Sequence, residues 1–183
     1  MARLILINGM PGVGKSTLAR RFAAEHPGTL VCDIDLLRTF ISGWRDDFIG
    51  AGARIRPAAL GLIRGYLSES GDVVLPQLFA RVSELRRFEG AAHDVGAEFV
   101  EVMLETVEDD ALRRFHGRDD GSDPWHPIVR EIVAESGGDE HLRAYAAKLA
   151  DLVAQRPATK VVPTVAGEVE ATYDSLRAAL GEC

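Results

Sequence analysis

Asparagine occurs once in this 183-residue chain, at Asn8, and that scarcity already removes one class of nucleotide-binding protein. Guanine-specific switches read their base through an N-K-x-D motif, which needs an asparagine well downstream of the phosphate site. Cysteine is nearly as rare. Cys32 and Cys183 are the only two, far apart and one of them terminal. They form no disulfide framework and read as unpaired thiols of a reducing, cytoplasmic compartment. The five histidines never stand at ligand spacing from one another or from a cysteine, so no metal site of that kind is expected. Long apolar runs are missing too. None approaches the roughly 20 residues that span a bilayer, and the apolar start gives way to glycines too soon for a signal peptide. Positive charge is in deficit, 21 basic against 28 acidic residues for a net −7. An acidic surface disfavours a broad nucleic-acid footprint, although a local basic pocket is compatible with it. Repeats and low-complexity segments are absent.

What remains is an ordinary globular composition, 46% hydrophobic, at a length that suggests one domain over residues 1–183. Strand-like and helix-like segments alternate. Leu4–Asn8, Thr29–Cys32, Asp72–Leu75, Glu98–Glu105 and Lys160–Val162 read as strands. Between them lie helical patterns at Ser16–Glu25, Leu36–Ser42, Pro57–Ser70, Val82–Val95 and Glu108–His116. Ile128–Glu135, Asp139–Gln155 and Glu168–Leu180 follow. Pro57 suits the first position of its helix. Gly43–Arg56 has little periodicity and reads as a loop or cap, and Asp119–Pro127 as a polar loop. The alternation predicts an α/β fold with a central, mainly parallel five-stranded sheet between helical layers, plus a helical cap (about 43–56) and lid (about 113–138). Ligands of such sheets bind at the carboxyl ends of the strands.

The segment Gly9-Met10-Pro11-Gly12-Val13-Gly14-Lys15-Ser16, followed by Thr17, fits G-x-x-x-x-G-K-[ST] throughout. It has a strand before it and a helix after it, as the motif requires. Its glycines let backbone N–H groups fold around phosphate oxygens, and the following helix points its positive end at the same place. Lys15 supplies a mobile charge for the outer phosphates, and the Ser16 hydroxyl can complete a magnesium shell. The glycine order is not the G-x-G-x-x-G of dinucleotide domains. The expected ligands are therefore ATP and Mg2+, with adenine read by shape and backbone contacts.

"CDIDLLR", residues 32–38, directly follows the second strand. A carboxylate there, Asp33 or Asp35, can accept the proton of a hydroxyl attacking the γ-phosphate, and Arg38 one turn on can hold Asp35 or a substrate anion. Either aspartate can equally cap the helix. The phosphate loop together with Asp35-Leu36-Leu37-Arg38 resembles the P-loop kinases of small molecules and nucleic-acid ends. That group includes chloramphenicol phosphotransferase, polynucleotide 5′-kinase, gluconate kinase and the zeta toxins. The resemblance implies that Asp35 is the general base and that Arg38 helps bind the acceptor. One departure stands out. The third strand runs into Pro76-Gln77, where relatives often carry an aspartate that helps hold magnesium through water. Either Asp33 or Asp35 takes that role, or the metal rests on Ser16 and the nucleotide. Gln77 and Arg81 are then candidates to face the acceptor.

Arg113, Arg114 and Arg118 follow the fourth strand, where kinases of this size carry a lid whose arginines close over the triphosphate. Trp125 and His126 either anchor this lid or stack on adenine, and Pro163–Gly167 resembles the loop that packs against adenine. In the cap, Trp44, Arg45, Phe48, Arg54 and Arg56 either select the acceptor or pack the cap onto the core. The expected activity is transfer of the γ-phosphate of ATP to a hydroxyl of a nucleoside, sugar or antibiotic. The alternatives are a slow ATP-hydrolysing switch and a 5′-hydroxyl polynucleotide kinase. No membrane partner is expected, and oligomeric state is not legible.

Overall fold

Strand β1 (Arg3–Gly9) is apolar at nearly every position, and such a strand needs cover on both faces. Leu4, Ile5, Leu6 and Ile7 are indeed fully buried. In the computed structural model, which describes residues 1–69, 71–118 and 123–182, β1 lies at the centre of a sheet. Its companions are β2 (Leu30–Val31), β3 (Val73–Pro76), β4 (Glu98–Glu105) and β5 (Lys160–Pro163). The order is β2-β3-β1-β4-β5 and every pairing is parallel. Helices α1 (Lys15–Glu25), α2 (Ile34–Arg38), α3 (Phe48–Ser68) and α4 (Val82–His93) connect the first strands. Helices α5 (Glu108–His116), α6 (His126–Glu135) and α7 (Asp139–Gln155) lie between β4 and β5, and α8 (Val169–Leu180) closes the chain. Residues 119–122 of the expected polar loop, the expected helix end at Ser70, and Cys183 lie outside the described residues.

Parallel pairing gathers the loops after β1, β2, β3 and β4 at one edge. The side chain of Asn8 ties two of them together. It accepts hydrogen bonds from the amides of Gly9 (2.8 Å) and Phe79 (3.0 Å) and donates to the Phe79 carbonyl (2.9 Å). The lone asparagine thus fixes the exit of β3 against the entrance of the phosphate loop.

The cap departs from its sequence reading. Residues 48–56 are not a loop but the first part of α3, and Pro57 sits inside that helix rather than at its start. The Asp47 side chain caps the helix by accepting from the Gly50 amide (2.9 Å). Proline in a helix interior gives up one backbone bond and disfavours the turn before it. Buried packing of Ala51, Gly52 and Ala59 overrides that local preference. Helix α2 is also shorter than its pattern suggested, ending at Arg38 rather than Ser42.

Candidate active site

The phosphate loop leaves β1 at Gly9 and enters α1 through Gly14, which holds φ +105 and so leads the chain into the helix in a conformation that side chains resist. Gly12 holds φ +86, and a Cβ there would stand 2.9 Å from the Phe115 amide nitrogen and 3.0 Å from the Ala111 carbonyl. The loop therefore rests directly on α5. Gly12→Ala is expected to cost about 1–3 kcal/mol in a denaturant titration, from strained φ and overpacking against immovable backbone. Nucleotide affinity falls with it.

Lys15 is half-buried and folds back over the loop, donating from Nζ to the carbonyls of Gly9 and Met10 at 2.9 Å each. Its pKa is lowered to about 8, chiefly by desolvation and with help from the neighbouring Arg118, against the opposing charges of Asp35 and Asp33. The side chains of Met10 and Val13 turn into the core and leave only loop backbone for phosphate.

The two aspartates after β2 separate clearly. Asp33 is buried and caps α2, its Oδ1 accepting from the amides of Asp35 (3.0 Å) and Leu36 (3.2 Å). Its other oxygen, Oδ2, lies 3.5 Å from the Ser16 hydroxyl. Burial, then the charge of Asp35, raises the Asp33 pKa above the ordinary carboxylate range, so this oxygen pair is short of positive charge. Asp35 is 30% exposed and pairs with the Arg38 guanidinium at 3.0 Å.

A cavity of about 380 Å³ joins these groups. The loop residues Pro11, Gly12 and Gly14–Thr17 form one wall, with Asp33, Asp35 and Arg38 beside them. Gln77 after β3, Phe48, Ile49 and Arg56 from α3, and Arg114 and Arg118 from the lid complete much of the lining. The backbone amide of Gln77 continues the β1 ladder to the Ile7 carbonyl (3.1 Å), which fixes this residue in the cavity lining. Its Oε1 is buried with no hydrogen-bond partner.

The lid arginines diverge in the same way. Arg114 donates to the Thr164 hydroxyl (3.4 Å), while its Nε and Nη2 are buried without partners. Arg118 pairs at 2.7 Å with Asp123, a buried carboxylate that also receives Arg20 at 3.4 Å. Arg113 turns away, 77% exposed and bound to Asp110. Of the segment expected beside adenine, Thr164 supports Arg114, and no residue of 163–167 lines the cavity. Trp125 and His126 are buried in the cavity wall, with His126 edge-on to Phe115 at 5.5 Å.

Two expected acceptor contacts are not brought to the cavity. Arg81 lies on the surface, 73% exposed, and forms an ion pair with Glu84 at 3.0 Å, one helical turn ahead. Trp44 is buried in a small cluster with Ala51 and Trp125, where it joins the cap to the lid instead of meeting ligand. Other wall residues were not anticipated. Asp123 has no motif to mark it, and His141, Leu142 and Tyr145 come from α7, far along the chain from any motif.

Similarity to known proteins follows the same pattern. No curated protein matches the sequence. Among solved structures, the tunicamycin resistance protein of Deinococcus radiodurans superposes with a TM-score of 0.65 at 18% identity, covering 100% of this chain and 98% of that one. A gluconokinase from Sinorhizobium meliloti 1021 superposes with a TM-score of 0.61 at 20% identity, covering 97% and 90%. At such identities the likeness is one of fold: five parallel strands with flanking helices, as in P-loop kinases. The AAA domain family matches residues 4–134. That span runs from the first strand through the phosphate loop and both aspartates to the lid, and the chain accordingly belongs to the AAA domain family.

Proposed function

We propose that the protein is an ATP- and magnesium-dependent phosphotransferase that moves the γ-phosphate to a hydroxyl of a small molecule. The observation that carries this reading is that one cavity is shared by the phosphate loop on one side and the Asp35–Arg38 pair on the other. A simple nucleotide-binding site has no need of a second half furnished with a carboxylate, an arginine and an unpartnered Gln77 oxygen. In this reading Lys15 leaves the carbonyls of Gly9 and Met10 for the outer phosphates, and the loop amides cradle the rest. Asp35 takes the proton of the attacking hydroxyl, Gln77 accepts a hydrogen bond from the acceptor, and Arg114 and Arg118 stabilise transferring charge.

The donor set near Ser16 suits magnesium. A hydroxyl and a carboxylate oxygen 3.5 Å apart are hard oxygen donors, and the raised acid of Asp33 marks a place where a cation is welcome. Among the described residues no cluster of three or more His, Cys, Asp or Glu forms a dedicated cage. Magnesium is a cation that takes one or two protein ligands together with substrate phosphates. When bound there it neutralises negative charge on the phosphates. Asp33 thus takes the part of the acidic residue missing at Gln77, which favours a kinase over a nucleotide-dependent switch.

The reading is tested by ADP release from magnesium-ATP with separate pools of nucleosides, sugars, hydroxylated antibiotics and 5′-hydroxyl oligonucleotides. Stimulation by a small-molecule pool is the expected result. A slow rate that no pool changes returns the switch to first place, and stimulation by oligonucleotides alone makes the protein a nucleic-acid-end kinase. Among the described residues no helix is long and apolar enough to cross a membrane. Cytoplasmic residence and a single kinase domain belong to the same proposal.

A further inference from the structure

Arg38 and Arg56 both line the cavity on its cap side, from α2 and α3. Arg38 is 6% exposed, and its guanidinium is oriented without consuming its donors. One nitrogen pairs with Asp35, and the plane lies over the Phe48 ring at 3.7 Å. Its Nε and Nη1 are buried with no hydrogen-bond partner. Arg56 makes a long contact of 3.5 Å to the Gly52 carbonyl, and its Nε is also buried without a partner. Burial first, and the nearby charge of Arg56 after it, push the Arg38 pKa down against the opposing pull of Asp35, the one carboxylate within ion-pair distance of either arginine among the described residues. Buried donors carrying uncompensated charge are costly unless a ligand completes them.

Resting on the kinase reading above, we infer that Arg38 and Arg56 form an anion subsite, so that the acceptor is a hydroxyl compound that also carries a carboxylate or a phosphate. The nucleotide is not the anion meant. Lys15 has Arg118 as its neighbouring cation, whereas Arg38 has Arg56, and the ion pair of Asp35 is with Arg38 on the cap side. Guanidinium forks match carboxylate and phosphate oxygens, and the free nitrogens of Arg38 lie next to Asp35, where the acceptor hydroxyl is wanted. The orphan Oε1 of Gln77 suits a second hydroxyl of the same molecule. Gly52 makes the arrangement sterically feasible. A Cβ there would stand 2.7 Å from Nη2 of Arg38, so the guanidinium occupies space that glycine alone leaves open.

The test uses the full chain with three matched acceptor sets: sugar acids, sugar phosphates and the corresponding neutral sugars. Turnover is read as ADP release. Binding is read separately as the Tm shift in saturating magnesium-ADP, which keeps the phosphate loop filled. One anionic set is expected to support turnover and raise Tm while neutral sugars do neither, and which set does so separates carboxylate from phosphate. Arg56→Met is expected to raise KM for that set by about tenfold or more, with a smaller change in kcat. Gly52→Ala, which suits a helix better than glycine, displaces Arg38 and raises the same KM, so loss of fold does not account for the effect. Neutral sugars turning over as well as their acids and phosphates overturn the anion subsite and leave the kinase reading standing. A Tm shift with anions that Arg56→Met removes, without turnover from any set, keeps the subsite and overturns the anionic sugars as acceptors, leaving the kinase reading to the nucleoside and antibiotic pools. Neither turnover nor shift with any set overturns the anion subsite, and the kinase reading then stands or falls on the nucleoside and antibiotic pools.

Discussion

Replacing Lys15 by alanine is expected to weaken magnesium-ADP binding by about 30- to 4,000-fold and to abolish ATP turnover. Removing one member of a buried, hydrogen-bonded charge pair costs about 2–5 kcal/mol, and that range converts to the stated factor. The structure adds a pH dependence to this effect. In the free protein burial lowers the Lys15 ammonium to about 8, far enough that it begins to lose its proton just above neutral pH. Phosphates favour the charged amine, so the nucleotide complex holds that proton to higher pH. Binding therefore takes up a proton above pH 8, and affinity falls as pH rises through that value. Nucleotide affinity at pH 9 is expected to be about tenfold weaker than at pH 7. Titration calorimetry in buffers of different ionisation enthalpy reads the proton directly. In Lys15→Ala both the pH slope and the proton uptake disappear. A flat affinity between pH 7 and 9 in the unmutated protein would mean that Lys15 stays fully charged when free.

The phosphate loop was legible because everything it needs is local. Glycines, lysine and hydroxyl lie within one turn between a strand and a helix, and no distant residue has to be known. Helices such as α5 and α7 were bounded correctly for the same reason, since acidic residues open them and apolar spacing runs through them. The cap was misread because its helix is held by burial of Ala51 and Gly52, against the local preferences of glycine and Pro57. Arg81 looked like an acceptor contact on position alone. Its own helix offers Glu84 one turn ahead, and that pairing keeps it at the surface. Trp44 had the right chemistry for a ligand, yet it packs in one cluster with Ala51 and with Trp125 of the lid. Roles that depend on which way a side chain turns, or on two helices meeting as Arg38 and Arg56 do, have no trace in spacing.

The pair Asp33 and Asp35 carries the second large effect, because one intervening residue turns them toward different chemistry. Asp35→Asn is expected to lower kcat for phosphoryl transfer by about 100- to 10,000-fold, the usual worth of a positioned general base. ADP affinity should change far less than kcat, since the ion pair of Asp35 is with Arg38 and it acts on Lys15 only through its charge. Asp33→Asn is the matched control. Asparagine caps a helix as well as aspartate, so the start of α2 is retained while the charge beside Ser16 is lost. That variant is expected to need more magnesium for half-maximal rate and to keep its rate at saturating metal. Measuring kcat, nucleotide affinity and magnesium dependence for both variants separates the base from the metal's neighbour. The opposite pattern, with transfer lost in Asp33→Asn and metal dependence changed in Asp35→Asn, would exchange the two roles. Arg38 would then face the nucleotide's metal through Asp35, and the cap side of the cavity would lose its claim on the acceptor.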